Sequence, residues 1–164
     1  GGRKNMRENK SFKRLVIFAI VAFMFFSVAS LTANAATGDD CSDPIVVNIP
    51  VDLTYTDIGQ TTCGRIDDYD STGLGSYDGG EDIIYKLDVA TDTKVKIIVD
   101  NVDTSWAGVG LFDDCPDVGT MVASDTYSFS GLEITYELLT SESPYYLMID
   151  TYPLPDCCNF DLTI

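Results

Sequence analysis

Alternation of apolar and polar residues along most of the chain is the feature that most constrains its fold. The pattern runs through 94–99 (KVKIIV), 132–138 (LEITYEL), 145–149 (YYLMI) and 160–164 (FDLTI). Period-two patterning with β-branched and aromatic residues is typical of half-buried β-strands. Further strands are predicted at 45–50, 52–58, 82–89, 106–112 and 119–125. No window after residue 35 carries the periodicity of an amphipathic helix.

Turn-forming residues separate these runs at intervals of about 8 to 12 residues, the spacing of small all-β domains. Eight or nine short strands predict an all-β, antiparallel sandwich or barrel. The longest predicted loop extends from Gly59 to Gly80 and is rich in Asp, Gly and Tyr. Loops of this length inside compact domains are usually functional or ordered by a metal.

The first 35 residues have the composition of a secretory signal peptide. Six basic residues precede or border an apolar run from Leu15 to Val28, and Ala33-Asn34-Ala35 supplies an A-x-A cleavage site. We therefore expect residues 1–35 to be removed and residues 36–164 to form a secreted or cell-surface domain. A membrane anchor is the alternative, but the apolar stretch reaches about 17 residues only if it is extended to Leu31, and that length is at the short limit for a spanning helix.

Cleavage at that site would leave 4 basic and 25 acidic residues, a net charge of −21. Such a polyanion repels nucleic acid and anionic membrane surfaces, so neither is expected as a partner. It attracts cations, and calcium suits acidic clusters in Gly-rich loops. Four such clusters lie within 39–43, 67–70, 78–82 and 113–117. Solubility alone would explain the same charge equally well.

Residue types on which several common catalytic sites depend are missing from the sequence. The chain has no histidine, which excludes a Ser-His-Asp triad, a Cys-His dyad and any zinc site with a histidine ligand. The phosphate-binding loop and the dinucleotide fingerprint are also absent. A pair of carboxylates would suffice for glycoside hydrolysis, but no pair stands out. We therefore predict that the protein is not an enzyme.

All five cysteines lie beyond the predicted signal peptide, as expected for an oxidising compartment. Two disulfides can form, and one thiol is left over. We expect Cys41 to pair with Cys63, because both flank the first predicted strands. Cys115 would then pair with Cys157 or Cys158, and Cys158 is taken as the partner. The remaining thiol is either buried or bridges two molecules.

Aromatic residues in loops are candidates for a surface that binds sugars or proteins. The three predicted binding residues are Tyr69, Tyr77 and Tyr152. In contrast, Trp106 at a strand start is expected in the core, together with one of Tyr145 and Tyr146.

Four segments, in their order along the chain, resemble strands of bacterial pre-peptidase C-terminal domains. They are 82–87 (DIIYKL), 111–115 (LFDDC), 145–150 (YYLMID) and 160–164 (FDLTI). The resemblance covers roughly residues 39–164 and implies a jelly-roll-like β-sandwich of the kind appended to secreted proteases. Some members, including the collagen-binding modules of clostridial collagenases, bind calcium near the N-terminal linker. By this resemblance the calcium ligands here would be Asp39, Asp40, Asp67 and Asp68.

Taken together, these features favour a secreted, non-catalytic, calcium-stabilised module that binds an extracellular polymer, either protein or polysaccharide. The alternative is a structural subunit of an extracellular filament or matrix, whose partners are copies of itself. Such subunits assemble by strand addition or by stacked interfaces. A small hydrolase inhibitor held by disulfides is a third possibility.

Overall fold

Two β-sheets packed face to face form the structure, a computed structural model that describes residues 37–50, 54–126, 131–153 and 156–164. The predicted signal peptide, residues 1–35, lies outside these ranges. Within them, no helix is long and apolar enough to cross a membrane.

Nine strands and two single-turn 3-10 helices lie in the described residues. In chain order they are β1 (Ile45–Ile49), β2 (Thr56–Thr61), η1 (Gly75–Tyr77), β3 (Ile83–Val89), β4 (Thr93–Asp100), β5 (Ala107–Phe112), β6 (Met121–Thr126), β7 (Leu132–Leu138), η2 (Thr140–Glu142), β8 (Tyr145–Thr151) and β9 (Asn159–Thr163). Most strands begin and end within one or two residues of the predicted positions, because alternation marks them clearly.

The strand predicted at 52–58 is the least accurate, since β2 begins at Thr56. Residues 51–53 lie outside the described part of the chain. The pairing of β2 with β9 shifts register between Asp57 and Gln60, where Gly59 has φ +71°. Such a bulge interrupts the alternation by which a strand is recognised in sequence.

The strand order is β1-β3-β8-β5-β6 in sheet A and β2-β9-β4-β7 in sheet B. This confirms the predicted all-β sandwich. One neighbouring pair departs from the antiparallel expectation: β1 lies parallel to β3, with Val47 opposite Leu87. Between β1 and β3 the chain forms β2, which belongs to sheet B. The two strands are therefore not joined by a hairpin, which would make them antiparallel.

The main core lies between the sheets, and we call the side of sheet A that meets it the inner face. Alternate residues of the strands fill this core. From sheet A they include Tyr85, Leu87, Val109, Leu111, Leu147 and Ile149; from sheet B they include Ile97, Val99, Ile134, Phe160 and Leu162. These side chains are buried, and removing them from water is the main stabilising contribution to the sandwich.

The opposite, outer face of sheet A carries a second, smaller core. Ile84, Phe112 and Met148 lie here, beneath Tyr69 and Leu74 of the connection between β2 and β3. We call this connection, residues 62–82, the covering loop. It explains why the central strands β3, β5 and β8 are buried on both faces.

Two disulfides link Cys41 to Cys115 and Cys63 to Cys157, and Cys158 is a free, buried thiol. The expected pairs Cys41–Cys63 and Cys115–Cys158 are therefore wrong. Although Cys41 and Cys63 flank the first two strands, those strands belong to different sheets. Of the two outcomes foreseen for the leftover thiol, burial is the correct one, and that burial raises the pKa of Cys158 to about 12.

Candidate functional site

One end of sheet A carries the groups of greatest functional interest. Strands β3 and β5 begin at this end, β8 ends there, and the covering loop folds across it. Two features result from this arrangement: a group of aromatic rings at the surface and a pair of carboxylates beneath the loop.

The aromatic group begins with Trp106 and Tyr152, just beyond the paired ends of β5 and β8. Ala107 is opposite Thr151 in the ladder, and the Tyr152 N–H donates to the Trp106 carbonyl at 2.8 Å. Because Ala107 belongs to the inner core, alternation turns Trp106 towards the outer face. The two rings lie 5.5 Å apart between centroids, tilted by 51°.

Tyr77, at the end of η1, completes this aromatic cluster of Tyr77, Trp106 and Tyr152. Its ring stacks on Trp106 at 6.5 Å with an interplanar angle of 21°, and meets Tyr152 edge-on at 6.4 Å. Gly108 makes room for it, since a Cβ there would lie 3.0 Å from the Tyr77 Cβ. Trp106 is 45% exposed and Tyr152 is 38% exposed, so the cluster presents its rings to solvent.

Only two of the three predicted binding tyrosines meet in this cluster. Tyr69 was expected to be exposed but is only 7% exposed, because it packs on the outer face of sheet A. Its hydroxyl accepts from the Cys41 N–H at 2.9 Å and touches Cys115 Sγ at 3.4 Å, and burial raises its pKa. Tyr69 thus supports the Cys41–Cys115 disulfide.

Trp106 is the member of the cluster that sequence reasoning placed wrongly, in the core. The correct placement of Trp106 could have been predicted from the alternation of the strand. Trp106 is an odd number of residues from Val109 and Leu111, which face the core, so its side chain faces the opposite side of the sheet. The expectation for the tyrosine pair is confirmed: Tyr145 is fully buried.

The second feature is a carboxylate pair, Asp82 and Asp150, with no solvent exposure. Ile83 lies opposite Ile149 in the antiparallel ladder, so Asp82 and Asp150 face each other at the next position. One oxygen of each carboxylate accepts hydrogen bonds from backbone N–H groups. Asp82 Oδ2 accepts from the N–H groups of Asp68 and Tyr69, and Asp150 Oδ1 accepts from those of Gly80 and Thr151.

The other oxygens of the pair have no partner. Among the described residues, the buried side-chain atoms without a hydrogen bond are Asp82 Oδ1, Asp150 Oδ2 and Thr151 Oγ1. Burial raises the pKa of Asp82 to about 7 and that of Asp150 to about 9. The negative charge of Asp67 adds to both increases, so this carboxylate also lies nearby.

The four aspartates expected to bind calcium do not converge on one point. Asp39 pairs with Arg65 at 2.8 Å. Asp40 accepts from the N–H groups of Ser42 and Asp43, and hydrogen bonds from Ser42 lower its pKa. Within the described ranges, no three acidic or cysteine side chains are grouped so as to hold a metal. Calcium binding therefore stays a prediction.

The remaining two of these aspartates line separate grooves. Asp68 shares a groove of about 370 Å³ with Asp40, Tyr69 and Asp117. Asp67 lies in another, of about 360 Å³, formed with Arg65, Ile66, Gly79, Gly80, Glu81 and Asp156. Burial, and secondly the charge of Asp70, raise the pKa of Asp67. We call the latter the Gly80 groove.

Comparison with known proteins finds similarity in structure alone. No protein-family model matches the sequence. No curated protein matches it either. A solved structure that is similar is the 1.0 Å crystal structure of the pre-peptidase C-terminal domain of collagenase from Bacillus anthracis, with a TM-score of 0.44 and 15% sequence identity over 73% of this chain and 91% of that chain. This solved domain is a pre-peptidase C-terminal domain, the kind of domain that the sequence motifs resemble.

Proposed function

We propose that this protein is a secreted, non-catalytic module that binds an extracellular polysaccharide through the aromatic cluster. The observation that supports the proposal is the cluster itself: three rings in mutual contact, partly exposed, at one end of sheet A. Aromatic rings exposed together at a surface are typical of binding sites, because they supply contact area at little cost in conformational entropy.

A polysaccharide suits this surface better than a protein polymer does. The apolar C–H face of a pyranose ring can lie flat on an aromatic ring, while its hydroxyl groups remain in water. Neither the Gly80 groove nor the groove of Asp68 is lined by a ring of the cluster. Rings exposed at the surface in this way favour successive sugar units of a chain over one small ligand. The strong negative charge of residues 36–164 favours a neutral or basic polymer over an acidic one.

The disulfides and the calcium prediction bear on where such a module would work. Two disulfides require an oxidising compartment, in agreement with the predicted signal peptide. Extracellular calcium would help to neutralise the acidic loops around the cluster. We therefore place the proposed binding activity outside the cell.

A pull-down on insoluble polymers tests the proposal. We expect the purified protein to be retained on at least one of cellulose, chitin and xylan, and Trp106→Ala or Tyr152→Ala to weaken retention at least about tenfold, the equivalent of about 1.4 kcal/mol. Ile58→Ala is the matched control, because this side chain is 68% exposed but lies on β2 in sheet B. Trp106 is the only tryptophan, so its fluorescence should change on binding.

Three outcomes would contradict the proposal. The first is equal retention of Trp106→Ala and the unaltered protein. The second is retention on collagen fibrils alone, which would point to a protein polymer. The third is assembly of the protein into fibres without added polymer, which would favour the structural role. Circular dichroism should show that each variant is folded before its retention is compared.

A further inference from the structure

We propose that the aromatic cluster binds polysaccharides of amino sugars, whose free amino groups are positively charged, in preference to neutral chains of the same shape. This inference rests on the proposed function and adds the class of sugar to it. The groups that would recognise the ammonium ions are the carboxylates of Asp70 and Asp156, which lie beside the cluster.

Asp156 is joined to the cluster by a backbone hydrogen bond. Its N–H donates to the Tyr152 carbonyl at 3.3 Å, and its own carbonyl accepts from the Glu81 N–H. The backbone of Asp156 is therefore held on two sides, while its side chain is exposed. This arrangement keeps a solvated carboxylate close to the partly exposed ring of Tyr152.

Asp70 reaches the same place from the covering loop. A Cβ built at Gly79 would lie 2.9 Å from Pro153 Cγ and 3.9 Å from Asp70 Oδ1. Gly79 follows Tyr77 by two residues, and Pro153 follows Tyr152 directly. The exposed carboxylate of Asp70 thus lies beside the chain segments that carry both tyrosines of the cluster.

The two carboxylates lie in acidic surroundings. Burial raises the pKa of Asp67, and neighbouring negative charges, including those of Asp70 and Asp156, raise it further. Asp67 and Asp156 both line the Gly80 groove. Because Asp156 also contacts Tyr152, this acidic groove adjoins the aromatic cluster.

No basic side chain of the described residues forms an ion pair with Asp70 or Asp156. The ion pairs among those residues join other acidic side chains: Arg65–Asp39, Lys86–Asp88 and Lys96–Glu133. The remaining basic residue after position 35, Lys94, belongs to β4 in sheet B. The negative charge beside the cluster is therefore available to a cation of the ligand.

A chain of amino sugars matches the rings and the carboxylates together. The C–H face of each sugar can lie on a ring, and an ammonium group at the sugar's edge can donate to a carboxylate. Hydrogen bonds between two charged groups are stronger than neutral ones, and the aromatic rings themselves attract cations. A neutral chain would use the rings alone, and an acidic chain would be repelled.

Calorimetric titrations with three matched oligosaccharides test the proposal. They are the β-1,4-linked hexamers of glucose, N-acetylglucosamine and glucosamine, of which only the last carries ammonium groups at about pH 5. In low salt we expect the Kd of the glucosamine hexamer to be at least about tenfold lower than that of either neutral hexamer. In about 0.5 M NaCl this preference should shrink, because salt screens exposed charges.

The double variant Asp70→Asn with Asp156→Asn should weaken binding of the glucosamine hexamer about tenfold and leave the neutral hexamers unaffected. Asparagine suits position 156, where φ is +71°. The matched control is Asp117→Asn with Glu137→Gln, which removes the same charge from exposed residues of the other groove and of β7. It should keep the full preference.

Each outcome separates this inference from the proposed function. Equal affinity for the three hexamers would overturn the inference and leave polysaccharide binding in place. An equal loss of preference in the control variant would also overturn it, since overall charge would then suffice. Unchanged binding of the glucosamine hexamer by folded Trp106→Ala, or no binding of any hexamer, would contradict both.

Discussion

In the presence of a chelator, the protein is expected to become less stable as the pH rises from about 5 to about 9. The unfolded chain ionises its aspartates near pKa 3.8, whereas the folded protein holds the pKa of Asp82 at about 7 and that of Asp150 at about 9. Between these values the folded state binds protons that the unfolded state lacks, so raising the pH favours unfolding. Their contribution is fully present below about pH 4 and is lost as the pH rises through 7 and 9.

The expected fall in the free energy of unfolding is at least about 2 kcal/mol, because each pKa unit corresponds to about 1.4 kcal/mol. Few other groups interfere in this pH range. The chain has no histidine, and Cys158, whose pKa is raised from 9.0 to about 12, acts only above about pH 9. Asp67 has a raised pKa for the same reason as the pair and acts in the same direction.

Urea denaturation at a series of pH values measures this slope. Asp150→Asn should reduce the loss of stability with rising pH, because position 150 no longer titrates. The asparagine side-chain oxygen can still accept hydrogen bonds from the N–H groups of Gly80 and Thr151. Asp117→Asn, at an exposed position, should leave the slope unchanged. A stability that is constant or rises between pH 5 and 9 in chelator would show that the two carboxylates are not buried as described.

Removal of either disulfide is expected to cost about 4 kcal/mol. The bridges span 94 residues for Cys63–Cys157 and 74 for Cys41–Cys115. Closing loops of these lengths removes similar amounts of entropy from the unfolded chain, so the two double serine variants should lose similar stability. Denaturant unfolding measures the loss, which is a large part of the 5–15 kcal/mol that stabilises a typical domain.

Cys158→Ala is the matched control, since it removes a cysteine and leaves both bridges in place. It should cost about 1 kcal/mol, the usual result of a small cavity in a core. Peptide mapping under non-reducing conditions should recover a peptide that contains Cys41 linked to a peptide that contains Cys115. Recovery of Cys41 bridged to Cys63 would contradict the structure, as would a Cys158→Ala variant with a missing bridge.

The fold could be predicted from the sequence because alternation is a local property, while the disulfides depend on which strands meet. Cys41 and Cys63 are near each other in the chain, but Cys41 precedes β1 of sheet A and Cys63 follows β2 of sheet B. The choice between Cys157 and Cys158 was nevertheless open to sequence reasoning. Cys158 shares the alternation of Phe160 and Leu162, which face the core, so Cys157 had to be the cysteine free to form a bridge.

The site was harder to predict, because it consists of residues from three parts of the chain. Tyr77 and Tyr152 were expected in a binding surface, but nothing in sequence shows that β5 and β8 pair and bring Trp106 beside them. Asp82 and Asp150 look like ordinary acidic residues at strand ends. Only the pairing of β3 with β8, and the covering loop above them, makes these two carboxylates a buried pair.

The connectivity of the disulfides also affects how the protein withstands proteases. Both bridges join a cysteine before residue 64 to one after residue 114. A single peptide-bond cleavage anywhere between Cys63 and Cys115, including in the covering loop, would therefore leave the two fragments joined by two covalent links. A protein nicked there keeps its pieces together, and such durability is useful in an environment rich in digestive enzymes.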